Sequence, residues 1–152
     1  MNARFLNKPA VRFISRTQVQ TIDTLYFVAD DGREHQVPAG YTSDLASIYV
    51  LLTICQGAAV TAIAASLLSS VLAYWLMLLA VVTVALYALL AGYAMRPALL
   101  HDWLYGNAEV SRRDADRLFW QAMAADDISP WRRVIFFTGV RLFGWVSYGE
   151  AR

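Results

Sequence analysis

The sequence predicts an α+β domain, with a small N-terminal β-hairpin region and C-terminal helices, interrupted by a two-helix transmembrane hairpin. Three observations carry that expectation. The chain has 152 residues, enough for one domain but not for a multidomain enzyme. It is 58% hydrophobic and only 16% charged, against about 45–50% and about 25% in ordinary soluble domains. All 13 Lys and Arg and all 12 Asp and Glu lie outside Leu45–Met95. The flanking parts alone therefore have a soluble composition, and the apolar excess is one uncharged block. With 13% aromatic residues, disorder is excluded.

The elements follow in order. Thr21–Ala29 alternates, Asp30-Asp31-Gly32 turns, and Arg33–Val37 returns, which predicts a β-hairpin. Pro38-Ala39-Gly40 ends it, and Tyr41–Asp44 reads as a polar loop. A helix through the uncharged block would measure roughly 76 Å, far more than a hydrocarbon core of about 30 Å. Two spans fit, near 50–68 and 71–93, broken at Ser69-Ser70. Tyr74, Trp75 and Tyr93 supply interfacial aromatics to the second, and Gly57, Ala58, Ala62 and Ala65 let the first pack closely. The insert is thus 49–95, and 1–48 with 96–152 form one split soluble domain. Lys8 and arginines 4, 12, 16 and 33 precede the hairpin, and arginines 96, 112, 113 and 117 follow it. The positive-inside rule then places both termini in the cytoplasm, at a bacterial inner membrane. No signal peptide is expected, since the apolar run begins far from a polar N-terminus.

Downstream, Arg96–Tyr105 suits a helix with Pro97 in its first turn, closed by Gly106-Asn107. Ser111 with Asp114 forms a shortened capping box for a helix to about Ala125. Its buried stripe is Ala115, Leu118, Phe119, Ala122 and Met123. Ser129-Pro130 starts a third helix over about Trp131–Phe143, whose arginines and aromatics suit a membrane surface or an outward-facing core helix.

One cluster is dense enough to carry chemistry. His101 and Tyr105 share a helix face, whereas Asp102 lies about 100° away and is not expected to orient its neighbour. The next helix can fold back and present Asp116, giving a His101–Asp116 dyad in which the carboxylate fixes the tautomer. Asp102 is then available to a hard cation, with Asp44 approaching from the loop. A His base beside a calcium ion is a complete arrangement for ester hydrolysis. The competing reading makes His101, Asp102 and Asp116 a structural hydrogen-bond staple. A metal phosphohydrolase pattern of His35, His101-Asp102 and Asp116 is disfavoured, because His35 falls in a β-hairpin. The single Cys55 permits no intrachain disulfide and reads as apolar packing. Arginines are scattered among acids and no Gly-rich phosphate loop occurs, so nucleic acid is not an expected partner.

The spacing HDxxY…ADxxF resembles the active-site helices of phospholipases A2, especially the disulfide-free kind of parvovirus capsids. The resemblance implies His101 as base, Asp116 as its orienter, Tyr105 as a supporting donor and Asp102 as a calcium ligand. That family's Gly-rich calcium loop has no counterpart here. A wider resemblance runs through Val37–Ile48, Ala98–Tyr105, Ser111–Phe119, Trp131–Arg133 and Val140–Trp145. These blocks resemble the DUF1353 family of small phage and prophage proteins of uncharacterised function. Tyr49 stands where that pattern usually has proline, and the hydrophobic hairpin occupies its variable connection. The expectation is a membrane-anchored phage-type protein acting as a phospholipase A2-like lipid esterase, with Arg96 and Arg113 as headgroup contacts. The alternative is a non-enzymatic membrane protein meeting phage or host envelope proteins in envelope passage, superinfection exclusion or lysis.

Overall fold

A computed structural model describes residues 2–15, 18–44, 46–67, 69–90, 93–108 and 110–144, without the side chains of 46–55, 89 and 143. The expectations for Cys55, for Tyr49 and for Trp145 lie outside the described residues. The architecture is α+β, with two compact units: Met1–Ser47 together with Gly92–Arg152, and Ile48–Ala91.

Among the described residues the first unit carries six short strands: β1 (Arg4–Phe5), β2 (Val11–Phe13), β3 (Val19–Thr21), β4 (Leu25–Val28), β5 (Glu34–Val37) and β6 (Thr42–Ser43). They form two antiparallel sheets, ordered β1-β4-β5 and β2-β3-β6. The expected hairpin is β4–β5, with Val28 opposite Glu34 and Leu25 opposite Val37. Gly32 adopts φ +84 at its turn, a conformation that glycine reaches without a Cβ penalty. Leu25, Phe27 and Val37 are buried, so alternate residues of this ladder feed the core. Thr21, expected at the start of the same strand, belongs instead to β3. The expected loop Tyr41–Asp44 holds β6, whose Thr42 pairs with Gln20. Two-residue strands of polar residues carry no alternation, which is why they escape a periodicity reading.

Three helices follow among the described residues: α3 (Met95–Asn107), α4 (Arg112–Ala125) and α5 (Pro130–Phe143). Helix α3 closes at Gly106-Asn107 as expected, with Ala108 capping it in the left-handed region at φ 48. At the head of α4 the Ser111 hydroxyl accepts from the Asp114 backbone N–H at 3.2 Å and donates to its carboxylate at 2.6 Å. The stripe Ala115, Leu118, Phe119, Ala122 and Met123 is buried throughout. Helix α4 packs on both α3 and α5, and each large apolar side chain it buries contributes about 1.5–3 kcal/mol. Strands β5 and β6 meet α3, and β1 meets α4.

The second unit is built from α1, which spans Ala46–Ala65, and α2 (Ser70–Leu90). Ala58, Ala62 and Ala65 are buried at helical spacing on α1, as are Ala80 and Thr83 on α2. The Thr83 hydroxyl donates within its own helix, 2.9 Å from the Leu79 carbonyl oxygen. Among the described residues one helix is long and apolar enough to cross a membrane, over Ser70–Ala88, with mean hydropathy 2.3. The described apolar part of α1, Gln56–Ala65, is shorter than a span. Of the expected pair, one such helix, α2, is thus found among the described residues, and the side chains of the first half of α1 lie outside them.

Candidate functional site

Helices α3, α4 and α5 converge on the Asp116 carboxylate. Asp116 projects from the second turn of α4, and the capping of α4 by Ser111 fixes where that turn begins. Its Oδ1 lies 3.2 Å from His101 Nε2 and also accepts the Tyr105 hydroxyl. Its Oδ2 accepts from Arg141 Nη1 at 2.9 Å. His101 and Asp116 are each 1% exposed. The imidazole is further enclosed by the rings of Tyr105 and Phe119, at centroid distances of 4.0 and 4.7 Å.

Asp102 differs from its sequence-based assignment. Its Oδ1 comes within 3.9 Å of His101 Nδ1, so the 100° helical offset does not keep the two side chains apart. Its Oδ2 accepts the Ser43 hydroxyl at 2.5 Å, which ties β6 to α3. Beside it Tyr41 packs edge-on against Trp103 at 5.1 Å. Asp44, on the same connection, is exposed, and its charge reaches Tyr41.

The electrostatics follow from burial opposed by partners. Burial works against charge on His101, but hydrogen bonding and charge from Asp102 and Asp116 outweigh it and raise its pKa above the ordinary 6.5. Burial likewise opposes the Asp116 carboxylate, yet donors on His101, Tyr105 and Arg141 hold it below the usual 3.8. The Tyr105 hydroxyl is pushed up by burial and then by Asp116. Tyr41 is pushed up by burial and then by Asp102 and Asp44.

These directions set a pH dependence of stability. The raised His101 contributes stability that is complete below about pH 6.5 and is lost as pH rises through its folded-state value. The lowered Asp116 contributes stability present above about pH 3.8 and lost as pH falls through its own value. Denaturant midpoints should therefore fall as pH rises through the folded-state His101 value, above 6.5, and His101→Gln should flatten that fall. An unchanged alkaline limb in the variant would count against the His101 assignment.

Several contributors were not among the sequence candidates. Arg141 supplies the third donor to Asp116. Arg112 donates from Nε to the Tyr105 hydroxyl at 3.4 Å and from Nη2 to the Arg141 carbonyl at 2.6 Å, holding the end of α5. Gly144 leaves room for Tyr105, since a Cβ there would sit 2.8 Å from the Tyr105 hydroxyl oxygen. The only sequence signal for them is the recurrence of Arg and Gly in the Ser111–Phe119 and Val140–Trp145 blocks. Of the expected headgroup contacts, Arg96 is ion-paired to Asp126 and lies over the Phe5 ring at 4.8 Å. Arg113 is exposed on α4, and His35 is half-buried in β5 opposite Phe27, lining a cavity with Asp114 and Arg117 of α4.

Calcium takes six to eight oxygen ligands. Among the described residues no group of three or more His, Cys, Asp or Glu side chains is arranged to hold a metal ion. One Asp102 oxygen is already committed to Ser43. Asp102 and Asp44 by themselves supply fewer oxygen donors than calcium takes.

No curated protein and no solved structure matches the chain. The family described as "Protein of unknown function (DUF1353)" matches residues 79–140, a stretch that contains His101, Asp102, Tyr105, Arg112 and Asp116. The Val37–Ile48 block, with Ser43 and Asp44, lies before the matched residues. From the second half of α2 into the last turn of α5, the chain matches the model of the DUF1353 family, which supports the resemblance read from its sequence blocks.

Proposed function

We propose that the protein is a membrane-anchored ester hydrolase acting on lipids, with His101 as general base and Asp116 as its positioning partner. The observation that carries this reading is the 3.2 Å approach of His101 Nε2 to an Asp116 oxygen that Tyr105 also engages. With Nε2–H donating to that carboxylate, the neutral ring keeps its acceptor lone pair on Nδ1, on the side of Asp102. A water beside Nδ1 and the Asp102 carboxylate would lose a proton to the ring as its oxygen attacks an ester carbonyl. The imidazolium so formed is stabilised by Asp116, and it returns the proton to the departing alcohol as the tetrahedral intermediate collapses. The raised His101 value means that activity should rise with pH through a midpoint above 6.5.

The anchor in this reading is α2, with α1 returning beside it and both termini cytoplasmic in a bacterial inner membrane. Support comes from the uncharged 70–88 stretch and the basic residues on both flanks. The family resemblance adds a phage or prophage setting. A reporter placed at Ser69-Ser70 should then be found outside the cytoplasm.

A second reading is favoured by burial. His101 and Asp116 are nearly inaccessible, and Arg141 occupies the remaining Asp116 oxygen. In that case the cluster staples α3, α4 and α5, and the protein meets phage or host envelope partners without catalysis. The test incubates purified full-length protein with mixed phospholipids, with and without calcium. Lysolipid release reduced about 10²–10⁴-fold by His101→Gln is the expected result. Release no greater than that of the variant retires the hydrolase and leaves the staple.

A further inference from the structure

A groove of about 980 Å³ opens between α4 and α5, on the side of Asp116 where Arg141 binds. Its walls combine three guanidinium side chains, Arg113, Arg117 and Arg141, with Trp120, Val134 and Phe137. The apolar part is ordered. Trp120 and Phe137 meet edge to face at 5.4 Å, and Arg133 stacks over the Trp120 ring at 5.2 Å. The charged part is not self-compensated. Arg141 is shared with Asp116, and Asp114 is held by the Ser111 hydroxyl. Arg113 and Arg117 have no ion pair among the described residues, and both are exposed. Arg133 Nε, next to the same tryptophan, is buried without a hydrogen-bond partner, a costly state for a guanidinium nitrogen. On α5, Trp131, Val134 and Leu142 are exposed apolar side chains, and Val134 lines the groove with these arginines.

We infer that this groove binds the phosphate headgroup of an anionic phospholipid, with Arg113 and Arg117 on the phosphate and the Trp120–Phe137 wall on the start of the acyl chain. Guanidinium forks match phosphate oxygens, and exposed apolar side chains beside arginines suit an anionic lipid surface. The chemistry requires both an anion and an apolar chain, because the groove pairs unpaired cations with an aromatic wall in one cavity. This deepens the reading of Arg113 as a headgroup contact and rests on membrane residence, not on hydrolysis at His101. Arg141 joins the two sites, since a bound phosphate would share the guanidinium that now holds Asp116.

The test uses full-length protein in neutral detergent and a short-chain diether phosphatidylglycerol with a brominated chain, which no esterase can cleave. Saturable quenching of tryptophan emission is expected, largely removed by Trp120→Phe. The pair Arg113→Gln with Arg117→Gln should weaken it about tenfold or more while leaving the thermal midpoint unchanged. Inorganic phosphate should compete only at concentrations at least tenfold higher than the lipid. Quenching that persists in Trp120→Phe, or that ignores the arginine pair, overturns the site. Phosphate binding as tightly as the lipid overturns the lipid assignment, leaving a bare anion site. None of these readouts depends on whether ester bonds are cleaved, so a failed hydrolysis assay and a failed groove are distinguishable.

Discussion

Asp116→Ala is expected to destabilise the α3–α4–α5 unit by about 3–5 kcal/mol, the cost of breaking a buried ionic network by removing one partner. The carboxylate accepts from His101, Tyr105 and Arg141, which stand on two different helices besides its own. The three donors do not suffer equally. Arg141 has a side chain 46% exposed and can turn to water. His101 is 1% exposed and cannot, so its Nε2–H is left without an acceptor in an aromatic cage. Tyr105 retains Arg112 as a donor to its oxygen but loses the acceptor for its own proton. Asp116→Asn should cost less, about 1–3 kcal/mol, because it keeps the volume and one acceptor oxygen while turning an amide N–H₂ toward existing donors. Urea unfolding of full-length protein in detergent micelles, followed by tryptophan emission, measures both. A cost for Asp116→Ala below about 1 kcal/mol would mean that water replaces the carboxylate, and that the cluster is not what joins the three helices.

Much of this was legible in the chain because it rests on spacing. The fold-back of α4 onto α3 follows from a short connection and a capped start at Ser111, and the two helices together place Asp116 at His101. The stripe from Ala115 to Met123 and the β4–β5 ladder follow from periods of 3.6 and 2. What could not be read depends on contacts between distant segments. Ser43 reaches Asp102 from a two-residue strand, Arg141 enters from α5, and Gly144 matters because Tyr105 and the Val140 carbonyl lie against it. Nothing local to those residues marks them. The 100° argument for Asp102 failed for another reason. It located the side-chain base on the helix but ignored the reach of a carboxylate and the freedom of an imidazole to turn, and these bring Oδ1 to 3.9 Å from Nδ1.

Replacing Leu79 and Val82 together by arginine is expected to abolish membrane integration. The two residues lie one turn apart in the middle of the 70–88 stretch, and both are exposed on α2. Each arginine near the centre of a span opposes insertion by about 2.5–3.5 kcal/mol, so the pair opposes it by roughly 5–7 kcal/mol. The leucines and valines of α2 favour insertion by only about 0.3–0.6 kcal/mol each, and two of them are removed by the change. The sign of the balance should therefore reverse, with the protein moving from the carbonate-resistant membrane fraction to the extractable one. Leu79→Ala with Val82→Ala is the control for lost apolarity without added charge, and should remain integrated. The proposed membrane reading of α2 competes with a core helix of a water-soluble protein, and this substitution separates the two. A core helix hides most of its surface against its own chain, whereas 17% of the apolar stretch of α2 is buried. The buried residues are small, Ala80 and Thr83, and Thr83 bonds its hydroxyl within its own helix. Leu72, Leu78 and Leu79 face outward, an arrangement that a lipid surround favours over water. If the double-arginine protein stays carbonate-resistant with its Ser69-Ser70 reporter outside, α2 is not the anchor.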